Sequence, residues 1–150
     1  MADNTRVDTT KVHALHRYWL WGNHMREEFY RVISDANARG QAVDLTAESG
    51  IYSLMFMSYW YAGLHVVIEG WTRLGLRDAE VEALLASPNV DLLRRYRNGV
   101  FHFQSVYYDE RFVGLIRDGE NVAEWVRNLN SAIGRVFLEI FDPANYPPTP

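Results

Sequence analysis

The chain has 150 residues, enough for one domain with a substantial core and too few for two. Apolar residues make up 48% of it, which excludes a disordered chain, and the lack of any Cys excludes disulfides, Cys-based zinc sites, iron–sulfur clusters and a thiol nucleophile. A formal net charge of -4 argues against a protein that coats long duplex DNA, while leaving room for a local basic patch that meets a short RNA segment.

Residues 1–10 read as a polar leader with no apolar secretory core, so the cytoplasm is the expected location. Thr9 or Thr10 is the expected N-cap of a first helix from Lys11 to Ala38, whose apolar residues recur at spacings of three and four; Arg39-Gly40 ends it. Thr46 is expected to open a second helix that runs to Arg73. Between Ser49 and Ile68 this helix carries no Asp, Glu, Lys or Arg, a length that could span a bilayer. Its Ser, Gly and Tyr residues, with His65, and the lack of Lys or Arg clusters at its ends favour instead a buried central helix of a bundle or dimer.

A short amphipathic helix is expected from Arg77 to Ala86. Ser87-Pro88 breaks it and Asn89 caps the next, from Val90 to Phe103. Gln104 to Tyr108 reads as a connector, Asp109 to Ile116 as a helical turn or two, and Arg117-Asp118-Gly119 as a turn. A last helix from Glu120 to Phe141 carries an apolar stripe of Val122, Trp125, Val126, Leu129, Ile133, Val136, Phe137 and Ile140. Asp142-Pro143 stops it, and residues 143–150 form a Pro-rich tail expected to be flexible. The expected fold is all-α: a four-helix, mainly antiparallel bundle over residues 11–142 with short accessory helices.

The sharpest chemical signal is Arg94-Arg95-Tyr96-Arg97-Asn98-Gly99-Val100-Phe101-His102. A histidine titrates near neutrality and can give or take a proton, while arginine presents a permanently charged fork that fits phosphate oxygens. Asn98 and His102 are four apart, so on one helix Asn98 could orient the imidazole. Arg97 and His102 are five apart, about 140° around an ideal helix, so they converge only if the helix loosens at Gly99 or a second subunit contributes.

An Arg, a polar residue and a later His on a helix in the second half of an all-helical chain resembles the motif of HEPN domains. The element order matches from Lys11 to Phe141, and the motif itself covers Arg97 to His102. The resemblance implies a metal-independent endoribonuclease of toxin or defence type. In it Arg97, Asn98 and His102 are catalytic, Arg94 and Arg95 contact phosphate or RNA, no cofactor or metal is used, and a homodimer shares a composite site. It also allows an antitoxin or other partner protein. In one toxin branch a Tyr two residues after the His is nucleotidylated; here that position is Gln104, which speaks against a nucleotidyltransferase antitoxin acting there.

The same residues also suit a plain helix end. Asn98-Gly99 could be a C-cap, with Arg94, Arg95 and Arg97 complementing the helix dipole. The chain would then be a catalytically silent dimerisation or partner-binding module. A metal enzyme built on His13 and His16 is disfavoured, because the chain has neither a Glu-x-x-His nor a His-x-x-x-His helix motif. His65 reads as a hydrogen-bonded core or dimer-seam residue. Tyr59-Trp60-Tyr61 and Tyr107-Tyr108 could stack bases, but suit a core or interface better.

Overall fold

The computed structural model describes residues 8–42, 48–142 and 144. Among them it is all-helical, with six helices: α1 (Thr9–Ala38), α2 (Glu48–Leu74), α3 (Ala79–Leu85), α4 (Asn89–Phe101), α5 (Glu110–Asp118) and α6 (Val122–Ile140). The expected starts at Thr46, the first residues of the leader and most of the Pro-rich tail lie outside the described residues.

Local signals account for most of the helix ends, with corrections. Asp8, rather than Thr9 or Thr10, caps α1: its carboxylate accepts from the Thr10 amide at 3.0 Å, and both threonines are already helical. Gly40 and Gly75 close α1 and α2 at φ 64° and 65°. At each end the residue after the glycine bonds back to a carbonyl five residues earlier, Gln41 to Ala36 at 3.0 Å and Leu76 to Trp71 at 3.2 Å. This left-handed stop satisfies last-turn carbonyls and favours glycine, which lacks the clashing Cβ. Asp78 caps α3 and Asp109 caps α5. Arg117 and Asp118, expected in a turn, are the last residues of α5, and Gly119 follows as its C-cap. Arg117 is held there by Asp118 at 2.7 Å and Glu110 at 2.9 Å.

α1 packs along α2, α2 meets α4, α4 meets α5, and α3 lies on α6, which also touches α1. α2 is long and apolar enough to cross a membrane by length and composition. In this fold its residues Trp60, Tyr61, Ala62, Leu64, Val67, Ile68 and Trp71 are buried and join the core with Leu93 and Tyr96 of α4 and the α6 stripe. Within that stripe one polar residue, Asn130, is buried where three helices meet. Its side-chain oxygen accepts from the Trp60 indole at 3.4 Å and its amide donates to Asn23 at 3.2 Å, while its backbone carbonyl accepts from Trp19 at 3.1 Å. Buried polar atoms that find partners in this way fix the register of the helices that supply them.

Asn89 corrects a further expectation. It is the first residue of α4, not its cap, and it is 1% exposed. Its side chain bonds the backbone of Glu120 in both directions: the amide donates to the carbonyl at 2.8 Å, and the oxygen accepts from the N–H at 3.0 Å. A cap residue has thus become a clamp between the start of α4 and the segment before α6. Asn89→Ala strands both Glu120 groups, and a loss of about 1–3 kcal/mol is expected in urea unfolding.

Candidate active site

α4 carries every residue of the motif except His102. Leu93, Tyr96 and Gly99 form its buried stripe. Gly99 does not end the helix, so the C-cap reading of Asn98-Gly99 is corrected. A Cβ at Gly99 would lie 3.1 Å from Arg111 Cβ and 3.2 Å from the Phe112 ring, so glycine lets α5 approach the last turn of α4. In the first turn, Asp91 gathers two of the arginines, Arg94 at 2.6 Å and Arg95 at 2.9 Å. Both are exposed but already paired in surface ion pairs, which hold their positions only weakly. They diverge: Arg94 bears electrostatically on His65 of α2, and Arg95 on Asp118 of α5.

Arg97 is different. Its side chain is 22% exposed, and its guanidinium is held from two sides. Nη1 donates to the Asn98 side-chain oxygen at 2.9 Å, and Nη2 donates to the Glu69 carboxylate across the α2–α4 contact. Nε is buried without a partner. Beside Glu69 lies His65, 3% exposed, with Nδ1 3.8 Å from Glu69 Oε1 and no hydrogen bond at that nitrogen among the described residues. Burial pushes the His65 pKa below its ordinary value; Glu69 opposes the shift, Arg97 and Arg94 add to it, and Asp91 opposes it again. The expected hydrogen-bonded core His is therefore buried, but without the bond at Nδ1.

This depression carries a stability consequence. The unfolded chain protonates this imidazole near pH 6.5 and the folded chain resists doing so. Stability from His65 is fully present above pH 6.5 and is lost as the pH falls from there toward the lower folded value. Unfolding of wild type and His65→Gln between pH 7.5 and 5 should show a shallower acid loss in the variant.

His102 stands apart from this cluster. α4 ends at Phe101, and His102 is its C-cap, with extended backbone at φ -124° and ψ 132°. Its N–H bonds the Asn98 carbonyl at 3.1 Å, and its own carbonyl accepts from Gln104 Nε2 at 2.7 Å. The shared helix face expected for Asn98 and His102 is lost with the helix, and the Asn98 side chain serves Arg97 instead. Among the described residues no hydrogen bond or ion pair joins Arg97 to His102. The imidazole is exposed on the rim of a groove of about 880 Å³. Ser58 and Tyr96 meet in this groove through their hydroxyls at 2.8 Å. Around His102, Phe103 is 94%, Tyr107 78% and Tyr108 75% exposed, which places the Tyr pair outside the core of this chain and on its surface.

Compared with known protein families, characterised proteins and solved structures, the chain matches none.

Glu69 and His65 are the site residues that sequence reasoning missed. A signal was present: Glu69 is the first charge after the uncharged run and lies one helical turn beyond His65. Its pairing with a residue 28 positions away is a property of the fold. His13 and His16 pack their rings on Phe141 at 4.3 and 4.8 Å. Among the described residues no three His, Asp or Glu side chains gather as a metal site would require.

Proposed function

We propose that this chain is a metal-independent endoribonuclease of HEPN type, acting in the cytoplasm as a homodimer, with α1, α2, α4 and α6 as a mainly antiparallel four-helix bundle. The supporting observation is the division of labour between α4 and the residue that caps it. Arg97 is a half-buried, pre-oriented cation, and His102 is an exposed residue at the helix end whose side chain makes no hydrogen bond or ion pair among the described residues. In the reaction, the RNA 2′-oxygen attacks its own phosphorus as its proton passes to one His102. The bond to the 5′-oxygen breaks, and the leaving oxygen takes a proton from the His102 of the second copy. A 2′,3′-cyclic phosphate and a 5′-hydroxyl remain. Arg97 faces the charge on phosphorus with Asn98 behind it. Arg97 and His102 share no hydrogen bond or ion pair among the described residues, an arrangement that a composite site across a twofold axis accommodates. Arg94 and Arg95 supply weaker phosphate contacts once released from Asp91.

The test is incubation of the purified protein with structured and unstructured RNA in EDTA, followed by analysis of the 3′ ends. Cleavage leaving 2′,3′-cyclic phosphate is expected; an RNA panel left intact would discard the reading.

A second reading is favoured by one observation: the apolar groove beside His102, bordered by the exposed rings of Phe101, Phe103, Tyr107 and Tyr108. In it the chain is a catalytically silent module that dimerises or docks a protein partner, an antitoxin among them, through those rings.

A further inference from the structure

The residue expected to hold phosphate already holds a carboxylate. Glu69 and Asn98 occupy both terminal nitrogens of the Arg97 guanidinium. We propose that Glu69 sets the anion selectivity of the site: it occupies the Arg97 fork, so that a lone phosphate is turned away and only a polyanion held at further points displaces it. The inference rests on the reading of Arg97 as the phosphate-binding group.

Three observations carry it. Glu69 is the more exposed partner, at 43% against 22% for Arg97, so an arriving anion meets the carboxylate at the solvent side of the pair. The neighbouring cations have other settings: Arg94 pairs with Asp91 at the surface, and burial disfavours the charged form of His65, whose Nδ1 lies 3.8 Å from Glu69. Third, Glu69 and Arg97 stand on different helices, so the carboxylate can swing off the fork without unfolding either one. A free phosphate must displace the carboxylate alone and then sit beside it, like charge against like. A nucleic-acid strand anchored by adjacent phosphates presents the next one at high effective concentration, which overcomes the same barrier.

The experiment uses inorganic phosphate as the probe, with binding measured by calorimetry on the full chain, independent of any cleavage. Glu69→Gln should bind phosphate about tenfold more tightly than wild type. The double variant Glu69→Gln/Arg97→Gln should lose the gain. Glu82→Gln, which removes an exposed carboxylate paired with Arg77 at 2.8 Å, should show none and so controls for net charge. No gain in Glu69→Gln, a gain that survives loss of Arg97, or an equal gain in Glu82→Gln overturns the proposal. Should Glu69→Gln fail to fold, Glu69→Asp, which draws the carboxylate back by one methylene, is expected to show a smaller gain, and its absence overturns the proposal equally. Failure of the ribonuclease reading shows separately, as intact RNA with wild type whatever the phosphate result.

Discussion

His102→Ala is expected to lower RNA cleavage by about 10²- to 10⁴-fold, the usual contribution of a positioned proton carrier. The same change should leave the fold intact. The residue is exposed and its side chain makes no hydrogen bond among the described residues, while the bonds that end α4 belong to the His102 backbone and survive in alanine. Circular dichroism and the urea midpoint should match wild type while cleaved ends disappear. Cleavage at the wild-type rate would remove His102 from the mechanism. A parallel loss of fold and activity would mean that the imidazole supports the 102–109 segment instead.

The largest stability effect is expected at Trp60. It is 1% exposed, packs against Phe29, Tyr30 and Tyr61 at ring separations of 6.2, 6.0 and 5.1 Å, and donates to Asn130. Trp60→Ala opens a cavity at the α1–α2 contact and strands the Asn130 oxygen, for a loss of about 3–5 kcal/mol. Trp60→Phe keeps most of the ring contacts and should cost about 1–2 kcal/mol, mainly the 3.4 Å bond and the lost ring volume. Urea unfolding of the two variants separates packing from polar satisfaction. Equal losses would show that the hydrogen bond to Asn130 outweighs the packing.

Both predictions depend on features that the sequence reveals unequally. Trp60 sits inside the uncharged run, but composition alone does not single it out: Trp60 is 1% exposed and its neighbour Tyr59 48%. Its partner Asn130 is less legible still: one polar residue on the α6 stripe reads as an ordinary surface position until three helices are seen to close over it. His102 was legible as a candidate because its chemistry is intrinsic to the imidazole. Its setting was misjudged, since the helix was expected to run on to Phe103 and instead ends at Phe101, which moves the imidazole off the face shared with Asn98.

By itself the sequence determined what is set within a turn or two of chain. Hydrophobic spacing at three and four gave the helical class. Gly40 marked the end of the first helix, because the left-handed backbone it adopts is a local preference. The stripe from Val122 to Phe137 faces the core as its periodicity requires. Only the tertiary structure decided where side chains with several options would spend their hydrogen bonds. Asn89 could cap a helix or clamp Glu120, and packing α4 beside the start of α6 chose the clamp. Arg97 could face solvent, phosphate or a carboxylate, and docking α4 on α2 brought Glu69 to it. Such choices turn on free energies of about 1–3 kcal/mol per buried polar group, comparable with the local preferences they override, and they are settled only when residues far apart in sequence are brought together.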